Sequence, residues 1–368
     1  VHDYLTQRGG AERVALAICR AFPEARVITS VYHADQTFPE FREYPIETSY
    51  LQRFGIFRRD VRLALPLLSG AFNRLHADDV DIVICSTTGW AHGIQTDAAK
   101  LVYCHNPARW IYQPEDYGKN QGIAVRTAMR LMHGHLRDWD QQAAATATRY
   151  LVNSSVVRDR VLRSYGIEAS VLPPPVGIDV DAWQSQPEGI DPGYFLVVGR
   201  ARGYKNVEVV CTAFRELPEQ RLIVVGGLPD EGGPWPPNVV GMVDVPDAQL
   251  RWLYANCRAV IAAAYEDFGL TPLEGNAFGR PALVLRAGGF LDTMVEGVTG
   301  HFIETLEAAA VLETVKTSLE VGLDNRAILG HAAGYSTEAF EAELHREVQA
   351  AMLTHKLGSR RDGTYVRP

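Results

Sequence analysis

Arg258-Ala259-Val260-Ile261-Ala262-Ala263-Ala264-Tyr265-Glu266-Asp267-Phe268-Gly269-Leu270-Thr271-Pro272-Leu273-Glu274 is the stretch that decides the fold of this chain. Its opening, Arg258 to Ala263, is a run of small and apolar residues that reads as a buried strand. A glycine turn follows, and then Thr-Pro, which opens a helix. Buried strand, turn and helix make the repeating unit of a parallel α/β sheet. Two carboxylates, Glu266 and Glu274, lie eight positions apart across the turn. The first stands where the strand ends, and the second in the first turn of the helix. In open α/β sheets, ligands bind at the carboxyl ends of strands, where helix N-termini offer N–H groups to anions. A carboxylate on each side of such an anion seat suits the hydroxyls of a sugar nucleotide whose phosphates lie between.

Each acid also has a plain structural reading. Thr271-x-x-Glu274, with Pro272 at the first helical position, matches a capping box and would account for Glu274 with no ligand. For Glu266 the plain reading is a solvated loop carboxylate.

Outward from this stretch, strand-like runs alternate with helical patterns along the whole chain. In the first half the strands are expected at Arg26–Tyr32, Asp81–Ser86, Lys100–Cys104, Tyr150–Asn153 and Ala169–Leu172. Ala11, Val14, Ala15, Ile18 and Phe22 recur at helical spacing, and Pro23 closes that helix. In the second half strands are expected at Tyr194–Val198, Arg221–Val225, Val239–Val243, Ala259–Ala263 and Ala282–Leu285. The fold class is therefore α/β, with two Rossmann-like parallel-sheet domains expected to face each other across a cleft. The first domain is expected over 1–175, completed by a terminal helix over 336–356. A Pro/Gly/Asp-rich linker is expected over 176–192, the second domain over 193–335 and a flexible tail over 357–368.

At 368 residues the chain has room for two ordinary domains. Its 46% hydrophobic and 22% charged residues argue against wholesale disorder. The net charge of −8 disfavours nucleic acid as a partner. No apolar run approaches the ~20 residues that span a bilayer, and no signal peptide opens the sequence, so a cytoplasmic location is expected. The abrupt start at Val1-His2-Asp3-Tyr4 suggests a first strand that begins upstream. Cys19, Cys85, Cys104, Cys211 and Cys257 are scattered and match no zinc spacing, which points to reduced, buried thiols.

Other groups fall at strand ends. Val198-Gly199-Arg200 through Lys205-Asn206 places two cations after a strand, suited to a diphosphate; alternatively Lys205 pairs with Glu208 on its own helix. Gln7-Arg8-Gly9-Gly10-Ala11-Glu12-Arg13 puts a glycine pair between the first strand and helix, but it is neither GxGxxG nor a P-loop. His105, in Tyr103-Cys104-His105-Asn106-Pro107, directly follows an apolar strand, where a hydrogen-bonded structural histidine is the plain alternative. Asn153-Ser154-Ser155 ends the fourth strand and equally fits a helix N-cap. Asp79-Val80-Asp81 and Asp179-Val180-Asp181 read as turn chemistry rather than metal ligands. No metal site and no cofactor are expected.

The segment Tyr50–His76 carries Arg53, Arg58, Arg59, Arg62 and Arg74 against Asp60, interleaved with Phe54, Ile56, Phe57, Leu63, Leu65, Leu67, Leu68 and Phe72. A second basic, apolar helix is expected over roughly 122–137. Such local surfaces on an acidic chain suit an anionic bilayer, or belong to core-facing helices whose arginines are solvated.

Taken in order, Gly9-Gly10, His105, Asn153-Ser154, Gly199-Arg200…Lys205 and Glu266…Glu274 resemble the nucleotide-sugar-dependent glycosyltransferases of family 4, which have the GT-B fold. The resemblance covers nearly the whole chain, and its most specific element is the Glu-x7-Glu block with Phe268-Gly269. His2-Asp3-Tyr4-Leu5 with Gly9-Gly10-Ala11-Glu12, Tyr103-Cys104-His105, Pro174-Pro175-Val176 and Tyr204-Lys205 look like the mannosyltransferase-like branch that builds bacterial lipid-linked polysaccharides. Pro173-Pro174-Pro175-Val176 stands where the wider family commonly has a Pro-Asn-Gly turn.

The resemblance implies a retaining, metal-independent hexosyltransferase, with mannose from GDP-mannose as the leading expectation and a UDP-sugar as the other. By position, Arg200 and Lys205 would clamp the donor diphosphate. Glu266 would hold sugar hydroxyls and Glu274 the ribose. Gly199, Phe268, Gly269 and the backbone of Leu270, Thr271 and Leu273 would line the phosphates. Gly9 and Gly10 would close over the β-phosphate, His105 would approach the sugar, and Asn153 and Ser154 would complete the donor site. The implied acceptor is a saccharide or lipid-linked saccharide, with peripheral association at the inner face of the plasma membrane through Tyr50–His76. A soluble transferase of small natural products, a nucleotide-sugar epimerase and a non-catalytic sugar-nucleotide-binding protein remain open alternatives.

Overall fold

A computed structural model of the chain describes residues 1–113, 123–199, 205–230 and 232–361. The chain divides into two compact units, one formed by residues 1–174 with those from 340 onward, the other by residues 175–339.

The elements of the first unit are α1 (Gly10–Ala21), β1 (Val27–Thr29), β2 (Ile46–Thr48), α2 (Gly55–Arg59), α3 (Leu65–Phe72), β3 (Ile82–Thr87), β4 (Ala99–Cys104), α4 (Arg109–Tyr112), α5 (Ile123–Ala145), β5 (Arg149–Val152), α6 (Ser155–Tyr165) and β6 (Ser170–Val171). Strands β3, β4, β5 and β6 pair in that order, all parallel, and β1 pairs parallel with β2. His2 bridges both Thr29 of β1 and Ser86 of β3. The opening residues thus lie between the two sheets and join them.

The elements of the second unit are β7 (Phe195–Val198), α7 (Val207–Ala213), β8 (Leu222–Val225), β9 (Val239–Met242), α8 (Asp247–Asn256), β10 (Ala259–Ala262), α9 (Leu270–Ala277), β11 (Ala282–Leu285), α10 (Phe290–Thr293), β12 (Gly300–Ile303), α11 (Ala308–Glu320) and α12 (Asn325–Ala333). Its parallel sheet runs β12-β11-β10-β7-β8-β9. Renumbered from β7, this is the doubly wound order 3-2-1-4-5-6, whose direction of winding reverses between β7 and β10. Successive side chains of a strand face opposite sides. Phe195, Val197, Leu222 and Val224 accordingly enter one core, while Leu196, Ile223 and Val260 enter another with Tyr254 and Leu253 of α8. Both faces are covered, which is why the strands read as unbroken apolar runs.

A final helix, α13 (Thr337–Arg361), packs Phe340, Leu344, Val348 and Ala351 against Val14, Ala17 and Ile18 of α1 and Leu101 of β4. Arg149 pairs with Glu347 at 2.6 Å on the same helix. The helix continues past the expected end near Lys356 through Gly358 to Arg361. A solvent-side glycine costs only about 1 kcal/mol, too little to stop a helix of this length; the tail beyond lies outside the described residues.

Residues 176–192 do not stand free as a linker. Ser185 N–H donates to Ala248 O at 3.1 Å, Arg251 Nε donates to Trp183 O at 3.0 Å, and Ile178 and Ile190 join the core of the second unit. Both Asp-x-Asp triplets are turns. Asp79 adopts φ 59°, and the Asp179 carboxylate accepts from the Asp181 N–H at 3.1 Å. All five cysteines are buried and free.

Candidate functional site

The sheet order of the second unit puts the loops after β7 and β10 side by side at the switch point, and the expected cation and carboxylate come from those two loops. Asn206 caps α7 in a left-handed conformation (φ 48°) and donates through Nδ2 to Ala263 O, just past β10, at 2.8 Å. That bond fixes the start of α7 over the end of β10. Lys205, the preceding residue, donates from Nζ to Glu266 Oε1, closing an ion pair across the switch point. Its aliphatic stem crosses Gly199, where a Cβ would lie 3.4 Å from Cδ and Cε. The local pairing of Lys205 with Glu208 gives way to this longer-range contact. Arg200 lies outside the described residues.

The Glu266 backbone is held from β11. Gly289 N–H donates to Glu266 O at 2.8 Å. At Gly288 (φ 62°) a Cβ would lie 2.3 Å from that same oxygen. The pair Gly288-Gly289 therefore supports the Glu266 loop, although it was not read from the sequence; its signal was two adjacent glycines in the loop after a strand.

The capping-box reading of Glu274 is overturned. Helix α9 begins at Leu270 with Gly269 as its N-cap, and no side chain caps it. Gly269 (φ 89°) packs so tightly on Phe290 that a Cβ would lie 2.2 Å from Cε1. Thr271 and Pro272 are thus inside the first turn, where N–H groups lack helical acceptors and proline's missing donor costs nothing. Glu274 instead accepts from the hydroxyl of Tyr254, a fully buried ring on α8, at 2.6 Å. Leu273 and Phe268 are core residues, Phe268 lying beside Tyr335. Neither side chain is placed to meet a ligand.

The first unit gathers a second group of residues at the carboxyl ends of its strands. His105, after β4, hydrogen-bonds through Nε2 to Ser86 Oγ at 2.8 Å, and Ser86 Oγ also meets His2 Nδ1 at 3.1 Å. His2 Nε2 lies 3.7 Å from Glu12 Oε1, which accepts from Gln7 at 2.9 Å. Glu12 is almost fully buried. Burial alone would raise its carboxyl, yet His2 and Gln7 beside it hold it below the ordinary value. At Gly9, the N-cap of α1, a Cβ would lie 2.5 Å from Glu12 Oε2, so a side chain there would push the Glu12 carboxylate from its place. Around Gly10 the corresponding space is open.

Asn153 donates from Nδ2 to His105 O at 3.2 Å. Ser154 caps α6 by accepting from Val157 N–H at 3.3 Å. Ser154 thus serves as an N-cap, and Asn153 latches the His105 loop. Glu12, His2 and Ser86 were not read as site residues, because nothing in their local spacing signals that His2 meets Ser86, eighty-four residues away.

Burial, then the charge of His2, push the His105 imidazole from 6.5 down to about 4, against the opposing pull of Asp3 and Glu12. Between those values the unfolded chain binds a proton that the folded chain does not. Stability should therefore fall as pH drops from about 6.5 toward 4, by up to ~3 kcal/mol from this group. Urea unfolding of the chain and of His105→Gln across this window checks the point: the variant should show a flatter pH dependence, and parallel profiles would contradict it.

Two family models match the chain in tandem. Glycosyltransferase Family 4 matches residues 8–180, and Glycosyl transferases group 1 matches residues 182–333. The chain is 27% identical over 225 residues to the D-inositol 3-phosphate glycosyltransferase of Mycobacterium sp. (strain JLS), covering 54% of this chain and 51% of that protein. It thus spans about half the length of that curated relative. A shorter match, 39% identical over 64 residues, links it to the alpha-1,3/1,6-mannosyltransferase ALG2 of Dictyostelium discoideum, covering 17% of this chain and 15% of that protein. Among solved structures, Anabaena Alr3699/HepE in complex with UDP-glucose superposes with a TM-score of 0.67 at 16% identity, covering 95% of this chain and 98% of that one. With two parallel-sheet units and matching family models along both, this chain belongs to the family 4 glycosyltransferases and has their GT-B fold.

Proposed function

We propose that the chain is a retaining, metal-independent transferase that moves a hexose from a nucleotide sugar to a saccharide or lipid-linked saccharide, with GDP-mannose as the leading donor. The observation that carries this reading is the Lys205–Glu266 pair at the β7/β10 switch point. It sets a cation and a hydroxyl-binding carboxylate next to the first-turn N–H groups of α9. A diphosphate seated on those N–H groups gains both the helix-end field and the Lys205 charge. As the sugar departs, charge develops on the β-phosphate oxygens, and a fixed ammonium there lowers the barrier. Glu274, held by the Tyr254 hydroxyl, is oriented to accept ribose hydroxyls, and Glu266 those of the sugar. The family's retaining chemistry needs no dedicated base, since the diphosphate oxygen takes the acceptor proton. The local match to a mannosyltransferase favours mannose.

The test is the reaction itself. With donor and a lipid-linked saccharide acceptor, in the presence of a chelator, NMR should show nucleoside diphosphate release and an α-linked product from an α-linked donor. An inverted product would overturn the retaining assignment. A sugar altered without an acceptor would favour the epimerase. A further expected outcome concerns Tyr254→Phe. Losing a hydrogen bond to a carboxylate costs about 1.5–3 kcal/mol where the pair is buried, and Glu274 is only half-buried. Donor Kd should thus weaken severalfold with kcat little changed; an unchanged Kd, read by calorimetry, would remove Glu274 from the ribose site.

The lipid-linked acceptor is favoured by the surface around α2 and α3. Leu51, Ala64, Leu65, Leu68 and Phe72 enter the core, whereas Phe54, Ile56, Leu63 and Leu67 remain exposed beside Arg53, Arg58 and Arg59. Asp60 pairs with Arg62 at 2.7 Å. Exposed apolar side chains among arginines suit an anionic bilayer surface. Among the described residues no helix is long and apolar enough to cross a membrane. Co-sedimentation with phosphatidylglycerol vesicles at low salt should capture the chain, weaken as salt screens the charges, and drop severalfold in Phe54→Ser/Ile56→Ser. No capture at low salt would favour a soluble acceptor.

A further inference from the structure

In the second unit, a cavity of about 230 Å³ lies at the amino ends of the strands, the opposite end of the sheet from Lys205 and Glu266. Phe195 of β7, Ala259 of β10, Pro281 before β11 and His301 of β12 mark that end. Arg258 and Arg280 line the cavity with His301, and no acidic residue lines it among the described residues. Each guanidinium is held by a backbone carbonyl. Arg258 Nε donates to Gly193 O at 2.8 Å, and Arg280 Nη2 donates to Ala255 O. Neither arginine forms an ion pair among the described residues, whereas Arg149, Arg286 and Arg346 each meet a carboxylate. Arg280 Nε and His301 Nε2 are buried with no hydrogen-bond partner among the described residues. The other nitrogen of His301 meets Glu296 Oε1 at 2.8 Å, and Glu296 Oε2 accepts from Phe302 N–H at 2.9 Å, so that acid is already engaged.

A carbonyl holds a guanidinium in place without cancelling its charge. Two arginines without acids on one cavity wall make a local positive potential, an exception on a chain of net charge −8. Buried nitrogens without a partner are rare in folded proteins and call for an explanation such as an ion. We propose that this cavity binds a phosphate group, at a site separate from the nucleotide-sugar seat. Guanidinium forks take phosphate oxygens two at a time. Inorganic phosphate at neutral pH carries acceptor oxygens and a P–OH. It therefore suits His301 Nε2 whether that nitrogen bears a proton or a lone pair. The volume falls below the roughly 300–1,000 Å³ of pockets for drug-sized ligands, which suits one phosphoryl group and is too small for a second nucleotide. Asn325, at the start of α12, also lines the cavity, but Asp324 already caps that helix by accepting from Arg326 N–H at 2.9 Å. The attraction therefore comes from the arginines and not from the helix end. Strands β7 and β10 separate the cavity from the switch point by about 10 Å, so one phosphate does not reach both. The site stands whether or not the chain transfers a sugar.

The experiment is isothermal titration calorimetry of the full chain with inorganic phosphate at constant ionic strength, with sodium chloride as the control. One phosphate should bind with a Kd of about 1 mM or tighter, and Arg258→Gln should weaken it about tenfold, the worth of one charged hydrogen bond. Arg258 is exposed, so that variant should fold, and Arg280→Gln gives a second reading of the same wall. Lys205→Ala should bind phosphate as the wild type does, which separates this site from the switch point and from glycosyl transfer. Methyl phosphate distinguishes the two sources of such a group. Equal binding assigns the phosphoryl group of a small phosphate ester, and binding of inorganic phosphate alone assigns the free ion. No phosphate binding by the wild type would overturn the proposal, as would unchanged binding in both arginine variants or lost binding in Lys205→Ala. The wild-type titration decides even where a variant fails to fold.

Discussion

Lys205→Ala should lower turnover by about a hundredfold or more while leaving the unfolding midpoint nearly unchanged. Removing one charged contact to a transition state's developing oxyanion costs ~2–4 kcal/mol, and each ~1.4 kcal/mol is tenfold in rate. The Lys205–Glu266 pair is partly open to solvent, and pairs of that kind contribute only about 0–1 kcal/mol to stability. Catalysis and stability should therefore separate at this residue. Arg200→Ala, expected from the sequence to act on the same diphosphate, should show a similar loss. Full turnover in Lys205→Ala, measured by nucleoside diphosphate release, would remove the ion pair from the chemistry.

The largest expected loss of stability lies at Asp3. Its carboxylate is buried and accepts from Thr87 Oγ1 at 2.9 Å, Thr88 Oγ1 and N–H at 2.6 Å each, Trp90 N–H at 3.3 Å and Ala91 N–H at 2.7 Å. These bonds tie the loop after β3 to the opening residues and hold Ser86 beneath His105. Asp3→Ala leaves several buried donors unpaired at about 1–3 kcal/mol each before relaxation. A total near 3–5 kcal/mol would be a large part of the 5–15 kcal/mol that holds a typical domain together. Asp3→Asn should lie between, since its amide keeps one acceptor oxygen but turns an N–H₂ toward other donors. Denaturant unfolding within 1 kcal/mol of wild type for Asp3→Ala would contradict this role.

The sequence was most readable where local pattern and burial agree. The run at Ala282–Leu285 became β11 with the same ends, and the runs before Gly199 and Glu266 became β7 and β10. β2 and β12 were not read. Ile46-Glu47-Thr48 is too short to show a period, and the β12 run begins at Gly300, which reads as a breaker. At the site, residue types were legible but partners were not. Lys205 seemed to belong with Glu208 three residues on, yet the winding of the sheet brings Glu266 to it. Glu274 looked like a cap because Thr271 and Pro272 fit the pattern. Helix α9 instead starts at Leu270, since Gly269 alone can take the left-handed turn against Phe290. The His2–Ser86–His105 contacts depend on the order of strands, which alternation along the chain does not specify.

The central claim is that the β7/β10 switch point seats a nucleotide sugar. A thermal-shift panel of GDP-, UDP- and ADP-sugars, run with a chelator on the chain and on Lys205→Ala, tests it most directly. Selective binding to the folded state adds about 2.7 kcal/mol of stability at a hundred times Kd. The account predicts that one nucleotide class, GDP first, raises the unfolding midpoint of the wild type and does so far less for Lys205→Ala. No shift with any of the three classes, or equal shifts in both proteins, would contradict it.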